Sequence, residues 1–172
     1  MADQIVVMGV AGCGKSTIAA AIGQARSIPS VDGDDFHSAE ARAKMRAGIP
    51  LTDADRAGWL DRLADILAAR PRVVLACSAL KRAYRDRLRA AAPGLVFLHL
   101  DADFDTFLAR LEARQGHYFH SPAMLRSQFD ALEPPEGEPG AVTIDATRSP
   151  DEVLAACFSA LEALHRASCR EP

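Results

Sequence analysis

The sequence predicts an α/β protein whose parallel sheet is covered by helices on both faces. Several short runs, such as residues 5–8 and 73–77, are apolar without polar alternation, as in strands that are buried on both sides. Segments with helical spacing of apolar residues separate these runs. The 172 residues are 49% hydrophobic and 25% charged, so we expect one domain spanning residues 1–172.

The elements follow one another in alternation along the chain. The apolar runs predict strands at residues 5–8, 29–31, 73–77, 95–100 and 141–144. A helix is expected over residues 16–22, and Thr52 with Asp55 has the form of a capping box that starts another. Ser149, Pro150 and Glu152 indicate the start of the last helix. The proline- and glycine-rich stretch 133–140 predicts a surface loop.

Charge and composition exclude several classes of protein. Lys and Arg number 20 against 23 Asp and Glu, giving a net charge of −3, so nucleic acid is not an expected partner. No apolar run approaches the roughly 18 residues that a membrane span needs. The chain shows no secretion signal, and its four cysteines form no C-x-x-C pair. We therefore expect a cytoplasmic protein with free thiols.

A phosphate-binding loop follows the first strand. Residues 9–16 read G-V-A-G-C-G-K-S, which matches G-x-x-x-x-G-K-[ST] at every fixed position. Glycines let backbone N–H groups approach phosphate oxygens, and the helix that follows adds its positive end. Lys15 would contact the β- and γ-phosphates of a nucleotide, and the Ser16 hydroxyl would ligate Mg²⁺. The predicted phosphate-binding residues are Gly9, Val10, Ala11, Gly12, Cys13, Gly14, Lys15, Ser16 and Thr17.

An acidic turn follows the second strand. Residues 32–37 read D-G-D-D-F-H, at the carboxyl edge of the predicted sheet and beside the phosphate loop. Clustered carboxylates repel one another unless a cation or a hydroxyl donor is near. A magnesium ion near Asp32 and a substrate hydroxyl near Asp34 would satisfy both, and an ordinary Asp/Gly turn is the alternative.

Basic residues recur near the same edge. Arg56 begins the helix after the capping box, Lys81 and Arg85 follow the third strand, and Arg110 and Arg114 lie four residues apart ahead of a glycine. Arginine and lysine at this edge suit an anionic substrate or a transferring phosphoryl group. Each of them could instead be a solvated surface residue.

The motifs together resemble the gluconate kinase family, within the wider group of shikimate and nucleoside-monophosphate kinases. The matching blocks run in family order from residue 9 to residue 135. They include C-S-A-L-K-R-A-Y-R at residues 77–85, R-L-E-A-R-Q-G-H-Y-F at 110–119 and S-Q-F-D-A-L-E-P-P at 127–135. The phosphate loop is widespread among proteins, whereas the C-S-A-L-K and S-Q-F-D-A-L-E-P-P blocks are far more specific.

The resemblance implies a P-loop kinase fold with strand order 2-3-1-4-5 and a mobile lid at about residues 115–125. It also implies ATP- and Mg²⁺-dependent phosphorylation of the 6-hydroxyl of D-gluconate by a homodimer. We assign Ser16 and Asp32 to the metal ion, Asp34 to the reacting hydroxyl, and Arg110 to adenine. Arg114 would reach the phosphates on lid closure, with Lys15, Asp34 and Arg114 as the catalytic set. The substrate-binding set would be Asp34, His37, Arg56, Lys81 and Arg85.

Three departures from the family pattern leave alternatives open. Ser38 stands where proline is usual, Ala41 where asparagine is usual, and Gly58 where proline is usual. The chain could therefore prefer another sugar acid or have lost its activity. Shikimate kinase and adenylate kinase are neighbouring alternatives within kinases. A nucleotide-dependent switch is the alternative outside them, although no N-K-x-D guanine motif is present.

Overall fold

Helices cover both faces of a five-stranded parallel sheet in the computed structural model, which describes residues 3–113 and 122–168. The strand order is β2-β3-β1-β4-β5, as the family resemblance implies. The strands are β1 (Gln4–Met8), β2 (Ser30–Asp32), β3 (Val73–Ala76), β4 (Val96–Asp101) and β5 (Ala141–Asp145). The helices are α1 (Lys15–Arg26), α2 (Ala39–Arg46), α3 (Asp53–Ala69), α4 (Arg82–Ala91), α5 (Phe104–Ala113), α6 (Pro122–Ala131) and α7 (Pro150–Ser168).

The central strand divides the core into two layers. Alternate residues of β1 point to opposite faces, so Ile5 and Val7 join one apolar cluster while Val6 and Met8 join the other. Helices α1, α5, α6 and α7 pack on the first face, and α3 and α4 pack on the second. This two-sided burial is the physical reason for the apolar runs in the sequence.

Both predicted capping boxes are present. The Thr52 hydroxyl accepts the Asp55 N–H, and the Asp55 carboxylate accepts the Thr52 N–H at the start of α3. Ser149 and Glu152 exchange the same two bonds at the start of α7. Asp55 also accepts a hydrogen bond from Lys44 of α2, and these contacts hold the pKa of its carboxyl at about 2. The capping box of α3 therefore also fastens α2 to the domain.

The predicted surface loop at residues 133–140 is anchored in the interior. The Glu138 side chain is only 3% exposed, and its carboxylate pairs with Arg85 and Arg89 of α4. Arg85 is fully buried and also donates to the main-chain carbonyl of Glu133 at 2.9 Å. The segment is a loop, as the sequence predicts, and most of its residues are exposed. The sequence did not indicate that Glu138 would be buried against a cationic partner.

The buried pair predicts an acid-sensitive fold. Bonds from Arg85, and then from Arg89, hold the pKa of the Glu138 carboxyl at about 2, below its ordinary 4.5. Its contribution to stability is therefore complete above about pH 4.5 and is lost as the pH falls toward 2. Glu138→Gln should cost about 3 kcal/mol at pH 7 and should flatten the pH dependence below pH 4.5. Urea denaturation at a series of pH values measures both effects.

The control for this experiment is Glu136→Gln in the same loop. Glu136 is exposed, so its removal should leave the stability profile close to that of the parent protein. A Glu138→Gln profile that parallels the parent profile at every pH would assign the acid response to other carboxyls.

Replacing Gly58 by alanine should stabilise the protein. Gly58 lies within α3, and a Cβ placed there would meet no atom within 4 Å. Glycine inside a helix costs about 0.5–1 kcal/mol relative to alanine, so Gly58→Ala should raise the free energy of unfolding by that amount. The matched comparison is Gly33→Ala, whose Cβ would lie 2.7 Å from the Ala76 carbonyl oxygen and should destabilise. Thermal unfolding of both variants checks the opposite signs.

Candidate active site

The phosphate loop forms the turn between β1 and the start of α1. Gly14 precedes the helix with a φ of 95°, and the Lys15 ammonium donates to the Val10 carbonyl at 3.0 Å. Gly12 has a φ of 81°, and a Cβ there would lie 2.9 Å from the Phe107 carbonyl oxygen. A side chain at Gly12 would therefore push the loop away from α5. The loop presents main-chain N–H groups and one ammonium, which is the pattern of an anion site.

Two other segments hold this loop in place. The Gly9 N–H donates to the Ser78 carbonyl at 3.3 Å, which joins the loop to the turn after β3. The Ala11 N–H donates to the Gln128 side chain of α6 at 2.6 Å. Gln128 belongs to the S-Q-F block of the sequence, so this bond gives that block a structural role.

Ser16 and Asp32 bring two oxygen donors together. The Ser16 hydroxyl donates to one oxygen of the Asp32 carboxylate at 2.6 Å, and the other oxygen accepts the Asp34 N–H at 3.0 Å. Mg²⁺ prefers one or two protein oxygens together with substrate phosphates and water. Within the described residues, no group of three or more His, Cys, Asp or Glu is placed to hold a metal ion. The Ser16 and Asp32 pair therefore fits a magnesium ion that arrives with a nucleotide.

A buried tryptophan supports the acidic turn. The turn at residues Gly33–Phe36 is a 3₁₀ helix, and the Trp59 indole N–H donates to the Gly33 carbonyl at 2.7 Å. The His37 ring stacks on Trp59 with 4.5 Å between centroids and 11° between planes. These contacts fix the turn that carries Asp34 against the body of the domain.

Asp34 lies within 3.8 Å of the His37 ring, measured from its carboxylate oxygen to Nε2. The Asp34 side chain is 60% exposed, but it lines a concave part of the surface. The surrounding protein limits hydration of the carboxylate and so raises its pKa. Lys15 opposes this rise in pKa, while Asp32 and Asp35 add to it. Burial, and then the charges of Arg56, Arg42 and Arg62, lower the pKa of His37 to about 4. His37 is therefore neutral at pH 7, and Asp34 is a stronger proton acceptor than an ordinary aspartate.

One cavity of about 470 Å³ joins the phosphate loop to the acidic turn. Its walls bring together most of the residues that the sequence singles out, including Lys15, Ser16, Asp32, Asp34, His37 and Arg56. Ala11, Gly12, Gly14 and Thr17 also line it, whereas Cys13 is buried beneath the loop. The cavity is large enough for a small polar molecule beside a phosphate group.

Lys81 and Arg85 do not line this cavity. The Lys81 ammonium donates to both carboxylate oxygens of Asp53, at 2.8 and 2.9 Å, and Asp53 also accepts the Tyr84 hydroxyl. Arg85 is fully buried and donates to the Ala79 and Leu80 carbonyls besides pairing with Glu138. The expectation that Arg85 binds substrate is wrong, because its guanidinium is occupied inside the core.

The residues expected to form the lid are only partly described. Arg110 donates to the Ala146 carbonyl at 2.6 Å and lies 5.8 Å from the centre of the Phe107 ring, so it borders the loop after β5. Arg114 and most of the expected lid, residues 115–125, lie outside the described residues. The remaining part, from Pro122, is the start of α6.

Sequence reasoning missed one wall of the cavity. Arg42, Met45 and Arg46 of α2 line it together with Ser78 and Gln128. The spacing of 42, 45 and 46 places them on one face of a helix, which is the signal that could have identified them. Ala41, which departs from the family pattern, is buried and does not line the cavity.

Comparisons with known proteins agree with this arrangement. A family model described as an AAA domain matches residues 5–135. The thermosensitive gluconokinase of Escherichia coli K12 is 40% identical, over 95% of this chain and 90% of the relative. A probable gluconokinase of Mus musculus is also 40% identical, over 92% of this chain and 97% of the relative.

Solved structures give the same result. A gluconokinase from Sinorhizobium meliloti 1021 is 42% identical, with a TM-score of 0.90, covering 95% of this chain and 93% of that one. Shikimate kinase from Aquifex aeolicus, at 16% identity and a TM-score of 0.59, shares the fold. Sequence identity of this extent over nearly the full length, together with the phosphate loop and the acidic turn that share one cavity, shows that the chain belongs to the gluconokinase family.

Proposed function

We propose that this protein transfers the γ-phosphoryl group of ATP to the 6-hydroxyl of D-gluconate, giving 6-phospho-D-gluconate and ADP. The observation that carries the proposal is the cavity that joins the phosphate loop to Asp34, in a chain 40% identical to curated gluconokinases. The likeness to shikimate kinase supports the fold and not the substrate.

The nucleotide side of the cavity is assigned to the phosphate loop. Lys15 and the main-chain N–H groups at the start of α1 would bind the β- and γ-phosphates and stabilise the charge that develops on them. Ser16 and Asp32 would hold Mg²⁺, which supplies further neutralisation of phosphate charge when it is bound. Arg110 would border adenine, beside the Ala146 carbonyl that it already contacts. Arg114 remains a proposal from the family resemblance, as a residue that reaches the phosphates from the lid.

The acceptor side is assigned to the acidic turn. Asp34 would orient the 6-hydroxyl toward the γ-phosphate and accept its proton, since its carboxylate faces the same cavity as Lys15. Neutral His37 would offer a hydrogen bond to the sugar chain rather than a charge. Arg56 lines the cavity nearby and would attract an acid substrate.

Location and assembly stay predictions. In the part of the chain that the structure describes, none of the helices could cross a membrane. Location in the cytoplasm and a homodimer are proposed from the family resemblance.

A coupled ADP-release assay with Mg·ATP tests the proposed substrate. D-gluconate is compared with shikimate, AMP and several other aldonates. Saturable turnover on D-gluconate alone is the expected result. Turnover on another sugar acid would reassign the acceptor pocket, and ATP binding without turnover on any acceptor would contradict the proposed activity.

Asp34→Asn tests the proton acceptor. The substitution keeps the shape of the side chain but removes its basicity, so kcat should fall by roughly 10²–10⁴-fold. ATP affinity, measured by equilibrium binding, should change little, because the phosphate loop is untouched.

Asp35→Asn is the matched control. Asp35 lies in the same turn and lines the same cavity, so its removal tests whether any carboxylate there would serve. Equal losses of kcat in the two variants would mean that the turn contributes negative charge and that Asp34 has no specific role.

A further inference from the structure

One wall of the cavity carries positive charge that the phosphate loop does not explain. Arg42 and Arg46 of α2 line it, and Arg56 at the start of α3 stands beside them. The intervening Met45 completes the same helix face as an apolar surface. The wall therefore combines guanidinium groups with one flexible apolar side chain, outside the family motifs that bind ATP.

Another part of the cavity lining carries negative charge. Asp32, Asp34 and Asp35 line it at the acidic turn, next to the phosphate loop. A neutral, polyhydroxylated acceptor would have no need of a cationic wall in the same cavity as such a turn. A molecule with a hydroxyl at one end and an anion at the other matches both sides at once.

The arginines of this wall keep donors available for a ligand. Arg56 donates to the Leu51 carbonyl at 2.6 Å, and Arg42 donates to the Asp35 carbonyl at a long 3.4 Å. The Arg46 side chain makes no ion pair or hydrogen bond with any residue that the structure describes. Each guanidinium has five N–H donors. Counting contacts to residues 3–113 and 122–168 alone, four donors remain on Arg42 and on Arg56, and five remain on Arg46.

The neighbouring lysines, by contrast, are already paired with carboxylates. Lys44, on the same helix, donates to Asp55 at 2.7 Å and Lys81 donates to Asp53. Neither lines the cavity. The cations that an anionic substrate can reach from the cavity on this side are therefore arginines.

The arginines of this wall lower the pKa of His37, at the end of the acidic turn. After burial, the charges of Arg56 and Arg42 are the leading causes that lower the pKa of His37. Arg56 of α3 and Arg42 of α2 therefore both disfavour the protonated form of His37.

We infer that Arg42 and Arg46 bind the carboxylate of the acceptor substrate and so set which sugar acid, and which of its ends, is phosphorylated. The inference rests on the proposed function. A guanidinium group binds a planar carboxylate through two parallel hydrogen bonds. These bonds fix the orientation of the substrate and also contribute to its affinity. With the carboxylate held at α2, the hydroxyl at the far end of the chain is directed to Asp34.

Comparison of D-gluconate with D-glucitol tests the inference. D-glucitol has the same carbon chain with a hydroxymethyl group in place of the carboxylate. For Arg46→Ala, the ratio of kcat/KM for D-gluconate to kcat/KM for D-glucitol should fall roughly 10–100-fold, the value of a hydrogen bond to a charged group. The fall in kcat/KM for D-gluconate should come from a higher KM for D-gluconate, whereas KM for ATP should change little. Arg42→Ala should shift the ratio in the same direction.

Equilibrium binding gives the same comparison without turnover. Calorimetry should show the Kd of D-gluconate rising by a similar factor in Arg46→Ala. Arg46→Lys should recover part of the affinity, because it restores the charge but not the planar set of guanidinium donors. Arg166→Ala is the control, because Arg166 is an exposed arginine of α7 outside the cavity. It should leave Kd unchanged.

The outcomes separate the two proposals. If the parent protein phosphorylates D-gluconate while both α2 variants keep its selectivity ratio and its Kd, the arginine inference is overturned and the proposed function stands. If the parent protein neither binds nor phosphorylates D-gluconate, the proposed function fails, and the assignment of these arginines to its carboxylate fails with it.

Discussion

The buried guanidinium of Arg85 joins the turn after β3 to the loop before β5. It binds two carbonyls in the turn after β3 and pairs with Glu138 of the loop before β5. That turn includes Ala79, whose φ of 43° is unfavourable for a residue with a Cβ and persists only where neighbouring bonds enforce it. In the same turn, the Ser78 carbonyl accepts a hydrogen bond from the Gly9 N–H of the phosphate loop. A charge in the core thus supports an anion site that it never touches.

The cavity separates its charges by the elements that carry them. Lys15 and the start of α1 supply the positive field for phosphates, the turn after β2 supplies carboxylates, and α2 supplies arginines. Phosphoryl transfer asks a protein mainly for alignment and for charges set in advance, so an arrangement of fixed elements around one cavity suits it. Because α2 is fastened to α3 by Lys44 and Asp55, the arginine wall keeps its position relative to the acidic turn.

Features determined within a few residues could be predicted from the sequence, and contacts across the fold could not. The phosphate loop and the two capping boxes are local patterns, and the structure has them where the motifs stand. Strand order followed from the family resemblance rather than from the strands themselves. Arg85 and Glu138 lie 53 positions apart, and nothing near either residue in the sequence indicates a partner. The sequence alone therefore does not distinguish a core arginine from a substrate ligand at this position. Arg42 and Arg46 were missed because two charges on a short helix are indistinguishable from a solvated face until the cavity is known.

The central position of β1 has a consequence for how the chain folds during synthesis. β1 pairs with β3 on one side and β4 on the other, and both partners lie 60 or more residues later in the sequence. The ribosome therefore releases the central strand well before either neighbour exists to cover its edges. Parallel pairing over such separations is slow, and an uncovered apolar strand is a point of aggregation. Yield of folded protein should accordingly depend on how well the cell shields this first strand until β4 has emerged.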